Sequence, residues 1–457
     1  MSNVAATRRT SFNFRQITKD IWAALKMPML AILMAFIIGA LVIWITEGSL
    51  VTVGEAYYGL LRGAFFKQRG FSETLVATIP YVLLSLAVTV GFKTGLFNIG
   101  VEGQFTIGSI CAAWAGVAFS GLPGIIHLPL TILTGALGGM IWAVIPGYLK
   151  ARTGAHEVIS TMMMNYVAFR LGEYMVSYPL RDHLSSGVQT LRISPEAELW
   201  TMSAFPQQLQ NPLNALLVAI IIAVVVALSV RTMLAGGFLS ARVKTATQRR
   251  TVYLVTGLVF GVIAFVALPP LTQAWWPFTD QYDRLHTGIF LAIFAAIGVW
   301  WLMWKTTLGF ELRMVGANPN AAQYAGVNIT RNIVVAMAIS GALAGIAGTV
   351  EVIGVSICRC LPLFFSSGYG WDSIGIALLA KNNPFGILAA SLLFGAMRNG
   401  ADLMELTSGV SKYIISLIQA LVLLFVAAPA IVRYIYRMKD EKTEAQASLT
   451  TGWGGRP

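Results

Sequence analysis

The chain has 457 residues, of which 56% are hydrophobic and only 11% are charged, and its mean hydropathy is +0.70. Soluble domains carry roughly 25% charged residues. This composition therefore excludes an ordinary soluble domain and predicts an all-α polytopic membrane protein. The net charge of +12 fits the basic residues that membrane proteins keep on their cytosolic side, so we assign it no role in nucleic-acid binding.

Long apolar runs recur along the chain, each near the ~20 residues that a helix needs to cross a bilayer. A shorter run, Ser373–Ala380, has about half that length at ~1.5 Å of rise per residue. Counted together, these runs predict twelve crossings with both termini in the cytosol. The eleven long runs are Met29–Thr46, Leu75–Phe92, Phe105–Leu122, Leu128–Leu149, Val158–Ser177, Leu213–Val230, Val252–Leu268, Gly288–Trp304, Ile333–Val355, Phe385–Met397 and Ile414–Val432.

Both ends of the chain are polar. Residues 1–27 are basic, and the long apolar run after them indicates a retained anchor rather than a cleaved signal peptide. Residues 433–457 form the predicted cytosolic tail. Lysine and arginine are more frequent in the predicted cytosolic loops than in the outer loops, as the positive-inside rule requires.

Two loops are long enough to receive a partner. Pro179–Pro212 is polar and predicted to lie outside, whereas residues 306–332 are predicted to lie in the cytosol. The first half of this cytosolic loop is predicted to be extended or turn-like. A short helix follows, with Asn318 as N-cap, Pro319 at its first position and Gly326 at its C-terminal end. Such a helix suits docking to a soluble protein or a plain connection, and the residues alone leave both open.

Residues 231–286 form a unit of their own. A basic cytosolic loop, 231–250, leads into the run Val252–Leu268 and then into an aromatic outer turn that ends at His286. Trp275 and Trp276 in this turn are typical of the membrane interface.

The residues give little support for an enzymatic function. The chain contains no Walker A motif, G-x-x-x-x-G-K-[ST], so no nucleotide site of that kind is predicted. Its four histidines are scattered, and we predict no metal site. Cys111 lies in a span, and Cys358 and Cys360 are too close for zinc spacing, so they are predicted to be unremarkable thiols.

Ionisable groups inside apolar runs are costly and therefore candidates for function. Glu102 and Asp372 both lie at interruptions of apolar runs, and Arg170 and Glu173 are spaced to pair on one helix. A further polar set, Glu157, Ser160, Thr161 and Asn165, shares one helical face. Each of these groups is equally explained as a satisfied buried group that holds helices together.

Two glycine-rich interruptions occur at similar places in the two halves of the chain. "GLFNIGVEGQ" (Gly95–Gln104, the first break) carries Glu102, and "GYGWDSIGIALLA" (Gly368–Ala380, the second break) carries Asp372. Interrupted helices in matching halves mark the translocation region of transporters. The depth of the first break is left open, because Lys93 favours the cytosolic end of a span whereas the glycines also suit a break within the membrane.

Four separated stretches resemble the permease subunits of bacterial ABC importers, in the branch of ribose, branched-chain amino acid and nucleoside permeases. The form F-N-I-G-V-E-G-Q is most similar to the nucleoside-type branch, whose receptors are basic-membrane-protein lipoproteins. The four stretches are "GLFNIGVEGQFTIGS" (95–109), "HEVISTMMMNYVA" (156–168), "TLGFELRMVGANPNAAQYAGVN" (307–328) and "GWDSIGIALLAKNNPFGILAASLLFGAMRNG" (370–400).

This resemblance implies a type II importer-like permease with about ten core spans, formed by residues 28–230 and 287–432, with 231–286 as an inserted two-helix hairpin. It implies two ABC ATPase subunits that bind ATP and Mg, a second identical or related permease subunit, and an extracytoplasmic substrate-binding lipoprotein. This chain would bind no cofactor itself and lie in the lipid of the bacterial cytoplasmic membrane. The residues implied to couple to the ATPase are Phe310, Arg313, Gly316, Asn318, Pro319, Asn320, Ala321, Ala322 and Gly326.

The resulting hypothesis is import of a small polar solute, with a nucleoside as first choice. Amides and carboxylates would bond to sugar or base, and aromatic rings would stack. Within the family, a simple sugar, riboflavin or an amino acid is the alternative solute. An ion-coupled secondary transporter and a membrane-embedded enzyme are alternatives of other classes. The candidate path residues are Phe97, Asn98, Glu102, Gln104, Asn165, Tyr166 and Asp372.

Overall fold

The computed structural model describes residues 14–235, 245–365 and 368–428, together with Ile431, Ile435 and Tyr436. Residues 1–13 of the N-terminal segment, 236–244 of the basic loop and almost all of the tail 433–457 lie outside the described residues. The described helices are α1 (Phe14–Glu47), α2 (Leu50–Leu61), α3 (Gly70–Lys93), α4 (Val101–Ala118), α5 (Gly124–Thr153), α6 (Glu157–Ser177), α7 (Phe205–Gln208), α8 (Pro212–Ala235), α9 (Ala246–Ala274), α10 (Gly288–Lys305), α11 (Thr307–Ala317), α12 (Pro319–Tyr324), α13 (Ile329–Val350), α14 (Tyr369–Leu379), α15 (Pro384–Ser408) and α16 (Tyr413–Ala427).

The described residues confirm the all-α class. They contain two π-turns, Arg62–Phe66 after α2 and Glu351–Val355 after α13, and a short 3₁₀ turn, Pro195–Ala197, but no β-strand beyond isolated bridges between outer loops. Seven helical segments in this part of the chain are long and apolar enough to cross a membrane, so the protein is a multi-pass membrane protein. The total of about ten core spans stays a prediction. The seven segments are Lys26–Glu47, Gly70–Lys93, Gly124–Thr153, Pro212–Arg231, Thr247–Ala274, Gly288–Lys305 and Ile329–Val355.

The centre of the bundle is built by α4, α5 and α13, whose backbones touch through glycines. A Cβ atom at Gly139 of α5 would lie only 2.7 Å from the Cα of Gly345 on α13. Real Cβ atoms do not approach other atoms this closely, so side chains at these positions would force the helices apart. Backbone contact of this kind is common between membrane helices, where close van der Waals packing replaces the hydrophobic effect.

Helix α4 begins beside the middle of α13, which decides the depth of the first break. The Nδ2 of Asn98, just before α4, donates to the Oγ of Ser340 at 2.9 Å. Ser340 lies in the central part of the helical segment Ile329–Val355. The first break therefore starts at the end of α3 and reaches the middle of the bundle before α4 begins.

The outer turn after α9 is tied to the start of α3 by ion pairs. Arg69 contacts Asp280 at 2.5 Å and Arg284 contacts Glu73 at 2.9 Å. The hydrogen bond from Arg69 holds the pKa of Asp280 below its usual value. These contacts attach the α8–α9 hairpin to the core at this turn, while α9 packs mainly along α8, where Gly257 meets Ala227.

Two local predictions are wrong. The first half of the cytosolic loop is the helix α11 rather than extended, because the Thr306 hydroxyl accepts a hydrogen bond from the Gly309 N–H and caps the helix. Cys358 and Cys360 form a disulfide rather than free thiols. The left-handed backbone of Arg359 (φ 52°) between them brings their Cα atoms to 5.1 Å, which is within the range of disulfides.

Candidate functional site

The two predicted breaks meet in the middle of the bundle. Glu102, in the first turn of α4, is only 1% exposed, and its Oε2 accepts a hydrogen bond from the backbone N–H of Gly370 in the first turn of α14. A carboxylate at a helix N-terminus is favourable, because the unpaired N–H groups there carry partial positive charge. Glu102 thus joins the starts of two helices that lie 268 residues apart in sequence.

The amides of the first break form a closed network. Asn98 donates to Gln104 Oε1 at 3.1 Å and to Ser340, and its Oδ1 accepts from the N–H of Gly100 at 2.9 Å. Gln104 Nε2 in turn donates to Asn98 Oδ1 at 3.2 Å. Since these bonds occupy both amides, the network fixes the backbone of the break in this conformation. Binding of solute by Asn98 or Gln104 stays a prediction.

Helix α6 fastens to the first break through Asn165. Its Oδ1 accepts from the Gly103 N–H at 2.8 Å, and its Nδ2 donates to the Ile99 carbonyl at 2.9 Å. Tyr166 points the other way and is 61% exposed. The two neighbouring candidates therefore lie on different faces of α6, and the structure does not bring Tyr166 to Glu102.

Two further predicted path residues, Phe97 and Asp372, also lie in different surroundings. Phe97 is stacked on Phe92, with ring centroids 5.0 Å apart, at the end of α3. Asp372 lies within the second break, where its Oδ2 accepts from the Tyr81 hydroxyl at 2.8 Å. The predicted pairing of Arg170 with Glu173 is confirmed, at 2.6 Å.

Sequence reasoning missed a partly buried arginine, Arg398, near Asp372. Arg398 of α15 donates to the Tyr81 hydroxyl at 3.1 Å, and its guanidinium lies 4.0 Å from the ring centroid of Tyr369. Glu351, in the π-turn after α13, interacts electrostatically with Arg398 and Glu102. π-Turns are frequent at functional sites. Both residues lie in or beside apolar runs, so the rule that singled out Glu102 also applied to them.

A cavity of about 270 Å³ opens between α4, α6 and the loop before α14. This volume is near the lower end of ~300 Å³ for small-molecule sites. Its walls combine aromatic rings with two carboxylates, and none of the described residues that line it is basic. Of the predicted path residues, only Glu102 lines it. The lining residues are Glu102, Thr106, Phe169, Gly172, Glu173, Val176, Pro362, Leu363, Phe364, Phe365, Gly368 and Trp371.

The predicted short helix in the cytosolic loop is present as α12. Asn318 Oδ1 accepts from the Ala321 N–H at 3.1 Å, Pro319 is its first residue, and Gly326 follows its end with φ 81°. The N–H groups of Gly326 and Val327 bond to Gln323 and Ala322, as in a Schellman motif. Ala322 is buried, whereas Asn320 and Ala321 are exposed.

The α11–α12 pair presents aromatic side chains outward. Phe310 is exposed and Tyr324 is 94% exposed, while Arg313 lies over the ring of Trp304 at 5.9 Å. Gly316 packs against the end of α3. A role of these residues in coupling stays a prediction.

Replacement of Gly370 by alanine is expected to destabilise the protein by about 1–3 kcal/mol through overpacking and to impair transport. The new Cβ would lie 2.8 Å from the Cα and N atoms of Glu102, and backbone atoms cannot move aside cheaply. Gly375→Ala on the same helix is the matched control, because the atoms nearest its Cβ belong to the Leu423 side chain and lie at 3.4 Å or more, an ordinary contact distance. Thermal unfolding and uptake measured on both variants test this, and equal behaviour of the two would contradict it.

Comparisons with known proteins agree with this architecture. The family described as "Branched-chain amino acid transport system / permease component" matches residues 70–241 and 198–427. The guanosine ABC transporter permease protein NupP of Bacillus subtilis is 35% identical over 90% of this chain and 95% of its own. The nucleoside permease NupB of Lactococcus lactis and the glucose permease TsgB13 of Haloferax volcanii are each 28% identical over 89% of this chain, covering 91% and 88% of their own. No solved structure matches the chain significantly.

A multi-pass helical bundle in which two interrupted helices meet beside a cavity is typical of a membrane transport protein. The chain belongs to the branched-chain amino acid transport system permease family. The resemblance to permease subunits of ABC importers, seen in the four sequence stretches, is therefore confirmed.

Proposed function

We propose that this chain is the transmembrane subunit of an ATP-driven importer and that its solute is a nucleoside. The observation that carries the proposal is the cavity that Glu102 helps to line. Aromatic rings of Phe169, Phe365 and Trp371 offer surfaces on which a base can stack, and the carboxylates of Glu102 and Glu173 can accept hydrogen bonds from ribose hydroxyls or base N–H groups.

The charge of the cavity favours an uncharged solute. Two carboxylates line it, and no basic side chain is present among its described lining residues. An anionic solute such as a nucleotide would meet unfavourable charge here, since like charges in a low-dielectric site repel strongly. The names of NupP and NupB, a guanosine and a nucleoside permease, agree with this choice, while TsgB13 keeps glucose as a comparison solute.

The partners follow from the same proposal. ABC ATPase subunits would bind ATP and Mg and dock on α11–α12, and an external lipoprotein receptor would deliver the solute. A second permease subunit would cover the outward face of α6, where Tyr166, Tyr174 and Arg170 are exposed, the arginine side chain by 81%. A charged side chain on a membrane-length helix is costly in lipid. The complex would lie in the bacterial cytoplasmic membrane, with both termini of this chain in the cytosol.

Transport by the reconstituted complex tests the proposal. Proteoliposomes carrying this chain with its ATPase subunits and receptor are expected to accumulate labelled guanosine or uridine when ATP is supplied on the cytosolic side. GMP and glucose serve as the anionic and sugar competitors, and a hydrolysis-deficient ATPase subunit is the control. Preferential uptake of glucose would show that the solute is a sugar, the alternative within the family. Uptake by the chain alone under an ion gradient would support a secondary transporter.

A further inference from the structure

The C-terminal end of α11 rests directly on the first break. A Cβ atom at Gly316 would lie 2.8 Å from the carbonyl carbon of Thr94 and 2.9 Å from the backbone N of Gly95. Gly95 has φ 75°, and its own Cβ would lie 3.1 Å from the Cα of Gly316. Two backbones therefore touch here with no side chain between them, so neither can move toward the other without displacing it.

The residues that follow Gly95 are braced rather than loose. The Leu96 N–H donates to the Gly91 carbonyl at 2.9 Å, which holds the segment against the end of α3. Further along, Asn98 is bonded to Gly100, Gln104 and Ser340 in the closed amide network. These bonds tie the segment to α3 through Leu96 and to α13 and α4 through Asn98, so a displacement of the segment is passed on to these helices, because buried hydrogen bonds are costly to break.

The far end of this braced segment is the Glu102–Gly370 contact. Helix α4 begins at Val101, directly after Gly100, so a shift of the segment shifts Glu102 with it. Glu102 both lines the cavity and accepts the hydrogen bond from Gly370 at the start of α14. One continuous set of contacts and hydrogen bonds thus runs from Gly316 of α11 to Glu102 in the cavity lining.

We propose that residues 95–100, the connecting segment, transmit the movement of α11–α12 to the Glu102–Gly370 contact and so open or close the cavity. The inference rests on the proposed function, in which ATPase subunits move α11–α12. Gly316 is a positioning residue in this scheme, since it acts on the cavity only through the connecting segment. Coupling between distant sites requires an element whose position both sites bias, and the connecting segment is that element.

The experiment compares Gly316→Ala with Gly298→Ala in the full complex reconstituted with ATPase subunits and receptor. Gly298 lies in α10 with nothing within 4 Å of an added Cβ, so its alanine variant is the matched control. For Gly316→Ala we expect ATP consumed per nucleoside imported to rise severalfold, because hydrolysis continues while less of the movement reaches the cavity. ATP hydrolysis and uptake are both normalised to the assembled complex, because the added Cβ also meets the Lys93 carbonyl oxygen and is expected to lower recovery.

The readouts distinguish a loss of transmission from a simple packing defect and from a failure of the proposed function. If Gly316→Ala fails to assemble, Gly95→Ala approaches the same contact from the other side and is measured in its place. An unchanged ratio of ATP to imported solute in an assembled variant overturns the inference. Asn332→Ala removes the 3.0 Å hydrogen bond from α13 to Glu311. If this variant raises the ratio of ATP to imported solute and Gly316→Ala does not, transmission runs through α13 and the inference is also overturned. Absence of nucleoside uptake by the unmodified complex would count against the proposed function alone.

Discussion

Replacement of Glu102 by glutamine is expected to lower nucleoside uptake by about ten- to a hundredfold while leaving the recovery of folded protein unchanged. Glutamine has the shape of glutamate and keeps an oxygen that can accept from the Gly370 N–H, so the junction of α4 and α14 survives. The negative charge that faces the cavity is lost. Hydrogen bonds to charged groups contribute about 1.5–3 kcal/mol, which corresponds to this range of affinity.

Uptake at saturating and at low solute, measured in proteoliposomes, separates a loss of affinity from a loss of turnover. Glu196→Gln is the control, because Glu196 is an exposed carboxylate in the outer loop, away from the cavity lining. Glu102→Ala is expected to reduce both uptake and thermal stability, since it also leaves the Gly370 N–H unpaired. Normal uptake by folded Glu102→Gln would show that the carboxylate serves only to join the two helices.

Replacement of Arg398 by methionine is expected to destabilise the protein by about 1–3 kcal/mol, the usual cost of leaving the partners of a removed hydrogen-bonding group unsatisfied. Methionine retains apolar length but removes the cation that lies over Tyr369 and donates to the Tyr81 hydroxyl. Asp372 and Glu351 both interact with this guanidinium and would lose their main compensating charge.

Thermal unfolding of the detergent-purified protein measures this effect. Arg192→Met is the control, because Arg192 is an arginine with a 68% exposed side chain that pairs with Glu198 at the surface, where such pairs contribute little. Arg398→Lys is expected to fall in between, since lysine keeps the charge but not the planar stacking group. The double variant Arg398→Met with Asp372→Asn is expected to recover part of the loss. An unfolding temperature of Arg398→Met equal to that of the unmodified protein would refute the expectation.

Local patterns in the sequence determined the class of protein and many of its elements. Apolar runs near 20 residues specify membrane helices because an unpaired backbone group is too costly in lipid. Asn318, Pro319 and Gly326 bounded α12 correctly because caps depend on residues within one turn. Arg170 and Glu173 paired as predicted for the same reason. Helix α2 was missed because its glycines and Glu55 interrupt its apolar pattern, although it packs on α15.

The tertiary structure alone decided what these elements do together. Gly370 and Glu102 are 268 residues apart, and Arg398 and Tyr81 are 317 apart, so no local rule relates them. Periodicity states which residues share a helix face, but not which face meets which neighbour. The packing of α4 against α13 placed the first break at mid-bundle, occupied the amides of Asn98 and Gln104, and left Glu102 as the candidate that reaches the cavity. Sequence sets local geometry through short-range sterics and hydrogen bonds, whereas a site assembled from distant helices exists only after they have packed.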